Sequence, residues 1–248
     1  MSMNFAHRGY SANYPENTLL AFQKAVEAGC HGIENDVRLT KDGVIVISHD
    51  GDLGRMGAGT GAVRDLTLEE LKAINFAGHH TECGFVPICT LEEYFDFIRT
   101  TNVVTNIEIK SDADNFGKLE QDTIAMIERY QLQDKIIFSS FNHYSMALCK
   151  RINPEIKTGL LFGDKIDKSY ASMTFADYAR FCHADFLHPH YSGMTCADVI
   201  AAQRDGIGVN VWTVDDPDIM DSYIAVGCHG IISNKTDLLR ERLAAAGK

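Results

Sequence analysis

The 248-residue sequence predicts a closed (β/α)8 barrel. Strand-like and helix-like segments alternate almost throughout the chain. Leaving out the returning arm of one hairpin, there are eight strands, and each leads to a helix. Eight such units at this length favour a closed barrel over an open doubly wound sheet. Apolar content of 45% is ordinary for a globular core, and no tandem repeat points to a solenoid.

Asn4–His7 reads as a short first strand. Asn17–Ala28 has helical periodicity through Leu20, Phe22, Ala25 and Val26, and Gly29 ends it. The second strand begins at Gly32 and carries Glu34 and Asp36, two apart and therefore on one face. Asp42-Gly43 is a turn signal, and Val44–Ile47 is a run of β-formers returning alongside. A two-residue turn would set His49 opposite Asp36. A four-residue turn over Thr40–Gly43 would set it opposite Glu34.

Residues 50–88 break the rhythm and read as an insertion into a single domain spanning 1–248. Glycines 51, 54, 57, 59 and 61 make a loop; with no strand-to-helix crossing and no following Lys, it is not a phosphate cradle. Thr67-Leu-Glu-Glu70 and Thr90-Leu-Glu-Glu93 are capping boxes, each opening a helix. Strands then follow at Val104–Lys110, Lys135–Ser140, Lys157–Phe162, Ala184–His188, Gly208–Val214 and Gly230–Ser233. Helices alternate with them at Phe116–Tyr130, His143–Ile152, Thr174–Cys182, Thr195–Asp205, Asp218–Val226 and Thr236–Ala245.

Composition narrows the function. A net charge of −11 opposes broad binding to nucleic acid or to anionic membranes. There is no run of 18 apolar residues, so no membrane span and no stable membrane association are expected. The N-terminus lacks an apolar signal region, which points to the cytoplasm. Seven scattered cysteines without C-x-x-C read as reduced thiols, and His79-His80 near Cys83 and Cys89 fits no standard zinc spacing. A homo-oligomer is left open.

In a (β/α)8 barrel, sites form at the C-terminal strand ends. The first strand ends in His7-Arg8-Gly9, the second carries Glu34 and Asp36 with His49 returning beside it, and the third reads Asn106-Ile-Glu-Ile-Lys110. Glu34, Asp36 and Glu108 offer only oxygen ligands, which suit a hard divalent cation such as Mg²⁺ or Ca²⁺. Arg8 and Lys110 supply the local cations that an anionic substrate needs. His7 and His49 suit an acid/base pair, because imidazole titrates near neutral pH.

His7-Arg8-Gly9, Pro15-Glu16-Asn17-Thr18, Glu34-x-Asp36-Val37, Thr40-Lys41-Asp42-Gly43, His49-Asp50 and Glu108-Ile109-Lys110 together resemble the glycerophosphodiester phosphodiesterases of the cytoplasmic bacterial type. The likeness runs on through Val211-Trp212-Thr213-Val214 and Gly227-x-x-Gly230-Ile231-Ile232. It implies a TIM barrel with a small insertion and a divalent ion on Glu34, Asp36 and Glu108. It also implies His7 and His49 as the acid/base pair, in either order, with Arg8 and Lys110 on the phosphate of a small glycerophosphodiester. The expected products are sn-glycerol 3-phosphate and an alcohol. A lysophospholipase D-like activity and a catalytically silent phosphodiester-binding barrel are the alternatives.

Two stretches depart from the family pattern: Leu53-Gly-Arg55-Met56, where Leu-x-Arg-Thr is frequent, and Ser233-Asn234, where Thr-Asp is frequent. Neither is expected to touch a metal ligand. Trp212 reads either as lining for the alcohol pocket or as packing, and Phe141 likewise. Glu16 either holds a loop near the site or favours a helix N-terminus. His188 and His190 are candidates for substrate contact, whereas His31, His143, His183 and His229 read as structural.

Overall fold

The computed structural model describes residues 2–56, 59–164 and 173–247. Eight parallel strands close on themselves: β1 (Met3–His7), β2 (Gly32–Leu39), β5 (Val104–Ile109), β6 (Ile136–Ser140), β7 (Lys157–Phe162), β8 (Phe186–Pro189), β9 (Gly208–Val211) and β10 (Gly230–Ser233). Closure comes from β1, which pairs with β2 on one side and with β10 on the other. This is the expected TIM barrel. β3 (Ile45–Ile47) and β4 (Cys89–Thr90) add an antiparallel annex beside β2.

The helices flank the strands as the apolar periodicity requires. α1 (Leu19–Glu27) is capped by the Thr18 hydroxyl and buries Ala21, Phe22 and Ala25 against the barrel. α2 (Leu68–Lys72) and α3 (Leu91–Ile98) both open with the expected capping boxes, at Thr67/Glu70 and Thr90/Glu93. α4 (Lys118–Tyr130), α5 (His143–Ile152), α6 (Phe175–Phe181), α7 (Cys196–Arg204), α8 (Pro217–Ala225) and α9 (Thr236–Ala245) complete the outer ring among the described residues. None of these helices is long and apolar enough to cross a membrane.

The main apolar core lies between strands and helices, through residues such as Phe22, Ile33, Tyr94, Phe138 and Val209. A second cluster, Val46, Leu53, Val63, Leu71, Phe76 and Ile88, seats residues of the 50–88 segment on β3. Gly57 and Ala58 of its glycine-rich loop lie outside the described residues. A third cluster fills the barrel interior, where Phe5, Ile137 and Ile232 pack with Met3, Val104, Phe186 and Trp212. Two interior glycines make room for its rings. A Cβ at Gly32 would run into the Phe5 ring, and one at Gly208 into the Phe186 ring.

The hairpin register differs from both expectations. Val37 faces Ile47 and Leu39 faces Ile45, so neither Glu34 nor Asp36 stands opposite His49. The reason is the loop from Thr40 to Val44, which is closed by Thr40 N–H on Val44 O and by Gly43 N–H on Thr40 O. Lys41, Asp42 and Gly43 lie between Thr40 and Val44, one residue more than in the two-residue alternative, and this shifts the pairing by one. His49 lies beyond the end of β3 and is placed by Arg38, whose Nε and Nη2 donate to the His49 carbonyl at 3.1 and 2.7 Å.

Candidate active site

β2 and β5 run in parallel register with Asp36 beside Glu108 and Glu34 beside Asn106. Alternation along the two strands therefore puts Glu34, Asp36 and Glu108 on the inner face. One oxygen of each carboxylate lies within 4.8 Å of the others, and all three residues are buried. Lys110 Nζ inserts between two of them, 2.6 Å from Glu108 Oε1 and 2.9 Å from Asp36 Oδ1.

The electrostatics divide the trio. Burial pushes Glu34 well above the ordinary carboxyl range, and the neighbouring Asp36 adds to the effect. Burial also pushes Glu108 up, to about 7, although Lys110 opposes it. Asp36 feels the same burial, but Lys110 and Arg8 outweigh it and hold its carboxyl below the usual range. Three desolvated carboxylates facing one point are short of positive charge. A hard divalent cation fits that deficit and the all-oxygen donor set.

Arg8 follows β1 with φ at 56°, a left-handed backbone that is rare outside glycine. Its backbone N–H donates to Glu34 Oε2 at 3.0 Å, and its side chain donates from Nη1 to Glu16 Oε1 at 2.9 Å. Its Nε is buried without a hydrogen-bond partner, 3.6 Å from Asp36 Oδ2.

The two histidines are held alike. His7 Nδ1 meets Asn234 Oδ1 at 2.7 Å, and Asn234 Nδ2 donates onward to Asp215 Oδ2 at 2.6 Å. His49 Nδ1 meets Asp50 Oδ1 at 2.6 Å. Both partners are acceptors, so each imidazole carries its proton on Nδ1 and has Nε2 as its second nitrogen. His7 Nε2 stands 3.9 Å from Glu34 Oε2. Burial, reinforced by Arg8, lowers the His7 pKa to about 4, and burial lowers that of His49 as well.

A cavity of about 180 Å³ opens at the C-terminal end of the barrel. His7, Arg8, Glu34, His49 and Glu108 line one side, while Phe141, Leu161 and Trp212 line another. Asn106 and Ser139 also contribute. Trp212 donates from Nε1 to the His188 carbonyl at 2.7 Å, and Phe141 meets its ring edge-on, with centroids 5.7 Å apart. Asp36 and Lys110 are buried against Glu108 rather than lining this space.

His188 is not at the cavity. It is fully buried in the barrel, where Asn210 Nδ2 bonds its Nε2 at 2.9 Å. His190 packs edge-on against Trp212. His31, His143 and His229 make structural hydrogen bonds to Asn4, to Tyr178 and Leu161, and to Asn210.

Four residues gain roles that the sequence reading did not give them: Asn17, Asp50, Arg55 and Asn234. Asn17 Nδ2 donates to Asp36 Oδ2 at 2.8 Å. Arg55 and Asn234 fall in the two stretches that depart from the family pattern, and both stand directly behind site residues. The presence of Asn17 within Pro-Glu-Asn-Thr and of Asp50 next to His49 was the available signal.

The chain is similar to known proteins in sequence and in fold. A profile of the glycerophosphoryl diester phosphodiesterase family matches residues 7–238. A glycerophosphodiester phosphodiesterase from Caldanaerobacter subterraneus subsp. tengcongensis is 37% identical over 94% of this chain and 94% of that protein. One from Bacillus altitudinis is 34% identical over 96% of each. The structure of an Oleispira antarctica phosphodiesterase in complex with the product sn-glycerol-3-phosphate superposes with a TM-score of 0.87. It is 26% identical and covers 97% of this chain and 96% of that one. With a profile match over residues 7–238 and relatives 34% and 37% identical over nearly their full length, this chain belongs to the glycerophosphoryl diester phosphodiesterase family.

Proposed function

We propose that the chain hydrolyses small glycerophosphodiesters to sn-glycerol 3-phosphate and an alcohol, by metal-dependent catalysis with a histidine acid/base pair. The observation that carries this reading is the meeting of Glu34, Asp36 and Glu108 around one point beside two imidazoles with engaged Nδ1 atoms. Simple binding of a phosphodiester needs no such pair.

Glu34, Asp36 and Glu108 would hold Mg²⁺ or Ca²⁺, which when bound offsets negative charge on the phosphoryl group. The unpartnered Arg8 Nε is the donor for a phosphate oxygen, and Lys110 is the second cation, drawn to Asp36 and Glu108 in this structure. His7, whose Nε2 carries the lone pair and whose burial keeps it neutral, takes the proton from the attacking oxygen. His49, as an imidazolium protonated on both nitrogens with the Asp50 carboxylate behind Nδ1, gives its Nε2 proton to the leaving alkoxide and is left as the neutral Nδ1–H ring. Trp212 and Phe141 supply an apolar wall for the organic part of the substrate.

The whole chain acts as one catalytic unit in this reading, with 50–88 as an insertion. Seven cysteines without a disulfide suit a reducing, cytoplasmic compartment. A lysophospholipase D-like activity is the second reading. It is supported by Phe141, which is 52% exposed beside Trp212 and offers apolar surface next to the cavity. Turnover of glycerophosphocholine and of lysophosphatidylcholine, with and without chelator, tests both. Hydrolysis of the first, abolished by chelator and restored by Mg²⁺ or Ca²⁺, is the expected result. Turnover that ignores chelator would remove the metal from the proposal, and preference for the second substrate would replace the first reading.

A further inference from the structure

Resting on that hydrolase reading, we infer that Arg55 is a positioning residue that locks the His49 imidazole and the Arg8 guanidinium into one frame. Arg55 comes from the 50–88 segment and belongs neither to the carboxylate trio nor to the cavity lining. Its guanidinium joins two separate carboxylates. Nε donates to Asp50 Oδ2, while Nη1 and Nη2 donate to Glu16 Oε2 and Oε1 at 2.8 and 2.7 Å.

Each carboxylate ends on a site residue. Asp50 accepts from His49 Nδ1 at 2.6 Å. Glu16 Oε1 accepts from Arg8 Nη1 at 2.9 Å, and Arg8 Nε lies 3.6 Å from Asp36 Oδ2. A continuous chain therefore runs from His49 through Asp50, Arg55 and Glu16 to Arg8.

The chemistry of each link makes Arg55 the centre. A carboxylate only accepts, so Asp50 selects the Nδ1–H tautomer of His49 and presents Nε2 to the substrate. Asp50 is itself held in rotation by Arg55, whose planar fork fixes direction in a way that a point charge does not. At the other end, Glu16 is shared by two guanidiniums. Burial raises its carboxyl, yet the hydrogen bonds from Arg55, with the Arg8 charge, keep it below the usual range. An isolated, half-exposed ion pair would contribute little. This one is bidentate at Glu16, joined to a second carboxylate, and anchored at both ends in the site.

The test uses the full-length protein with four variants: Arg55→Ala, Arg55→Lys, Asp50→Asn and Glu16→Gln. The first readout does not involve turnover. Nitrogen-15 histidine spectra at pH 8, with His49 assigned through His49→Gln, report its tautomer directly. The Nδ1–H form is expected in the wild type, with a shift toward Nε2–H in Asp50→Asn and in Arg55→Ala, at unchanged melting temperature.

The second readout is steady-state hydrolysis of glycerophosphocholine. Asp50→Asn should lower kcat with KM held, and Glu16→Gln should raise KM with kcat less affected. Arg55→Ala should do both, losing on the order of 10²-fold in kcat/KM, as small misplacements of reacting groups do. Arg55→Lys should recover only part of the loss. Wild-type tautomer and kinetics in Arg55→Ala, or full recovery in Arg55→Lys, would overturn the inference. A wild type inactive on glycerophosphocholine would sink the hydrolase reading instead. The tautomer spectra would then decide on Arg55 alone: a shift in Arg55→Ala supports its positioning role, and an unshifted tautomer refutes it.

Discussion

The Asn17 carboxamide donates to Asp36 Oδ2 over 2.8 Å from a left-handed backbone at φ 57°, while Lys110 Nζ stands 2.9 Å from the other oxygen, Oδ1. Asp36 is thus held at both oxygens. Asn17→Gly removes the carboxamide without straining that backbone. It should weaken Mg²⁺ or Ca²⁺ binding by about 10–100-fold, the usual cost of losing a group that orients a ligand. Calorimetric titration measures it. Asn17→Asp should do worse, because it sets a further buried carboxylate against Asp36. Equal metal affinity in all three proteins would free Asp36 from dependence on Asn17.

His7→Ala and His49→Ala should each lose about 10²–10⁴-fold in kcat, with a combined loss smaller than the product. The two sites differ in what stands behind the ring. Asp50 sets a full negative charge behind His49, whereas the carboxamide of Asn234 behind His7 is neutral. A nitrophenyl ester of glycerol phosphate has a leaving group that hardly needs a proton. It should rescue His49→Ala and leave His7→Ala impaired. Rescue in the opposite order would exchange the roles, and equal rescue of both would end the division of labour.

Metal binding should be visible in stability as well as in rate. A ligand that binds only the folded state at 100 times its Kd adds about 2.7 kcal/mol. Adding Mg²⁺ or Ca²⁺ in that range should raise the Tm of the wild type. Glu108→Gln, which removes a charged oxygen donor, should show a much smaller rise. A rise of equal size in both proteins would locate the stabilising ion elsewhere.

Stability should also fall in mildly acidic solution because of His188. Burial, with His229 nearby, lowers its pKa to about 3 in the folded chain. An unfolded histidine titrates near 6.5. Between these values the unfolded state binds a proton that the folded state refuses, so stability is full above pH 6.5 and declines as pH drops towards 3. Each pH unit well inside this window costs about 1.4 kcal/mol for one such group. His188→Asn should flatten the stability–pH slope between pH 6 and 4 by about one proton, as read by denaturant unfolding. An unchanged slope would mean that His188 is protonated in the fold.

What the sequence made legible was local. The capping boxes at Thr67 and Thr90 announce their helices because every atom involved lies within one turn. The period-two placement of Glu34 and Asp36, and of Glu108 and Lys110, fixes their faces. The hairpin register was not legible, because Asp42 is committed to Thr40 Oγ1 and to Leu68 N–H, the latter 26 residues away. The long-range supports of the site were hidden for the same reason. Asn234 reaches His7 across 227 residues, and Arg55 reaches Glu16 across 39. Residue types show what a group can do, while such pairings depend on how the barrel closes.

The rings of Phe5 and Phe186, admitted by Gly32 and Gly208, turn the barrel into a cul-de-sac. With the inner end filled by these rings, phosphate ester and alcohol of the proposed reaction would leave by the doorway through which the diester came. Whichever product departs last holds that doorway against the next substrate. In the proposed hydrolysis, passage at the rim, where Phe141 and Trp212 stand, would then be a step of its own beside bond cleavage beneath it.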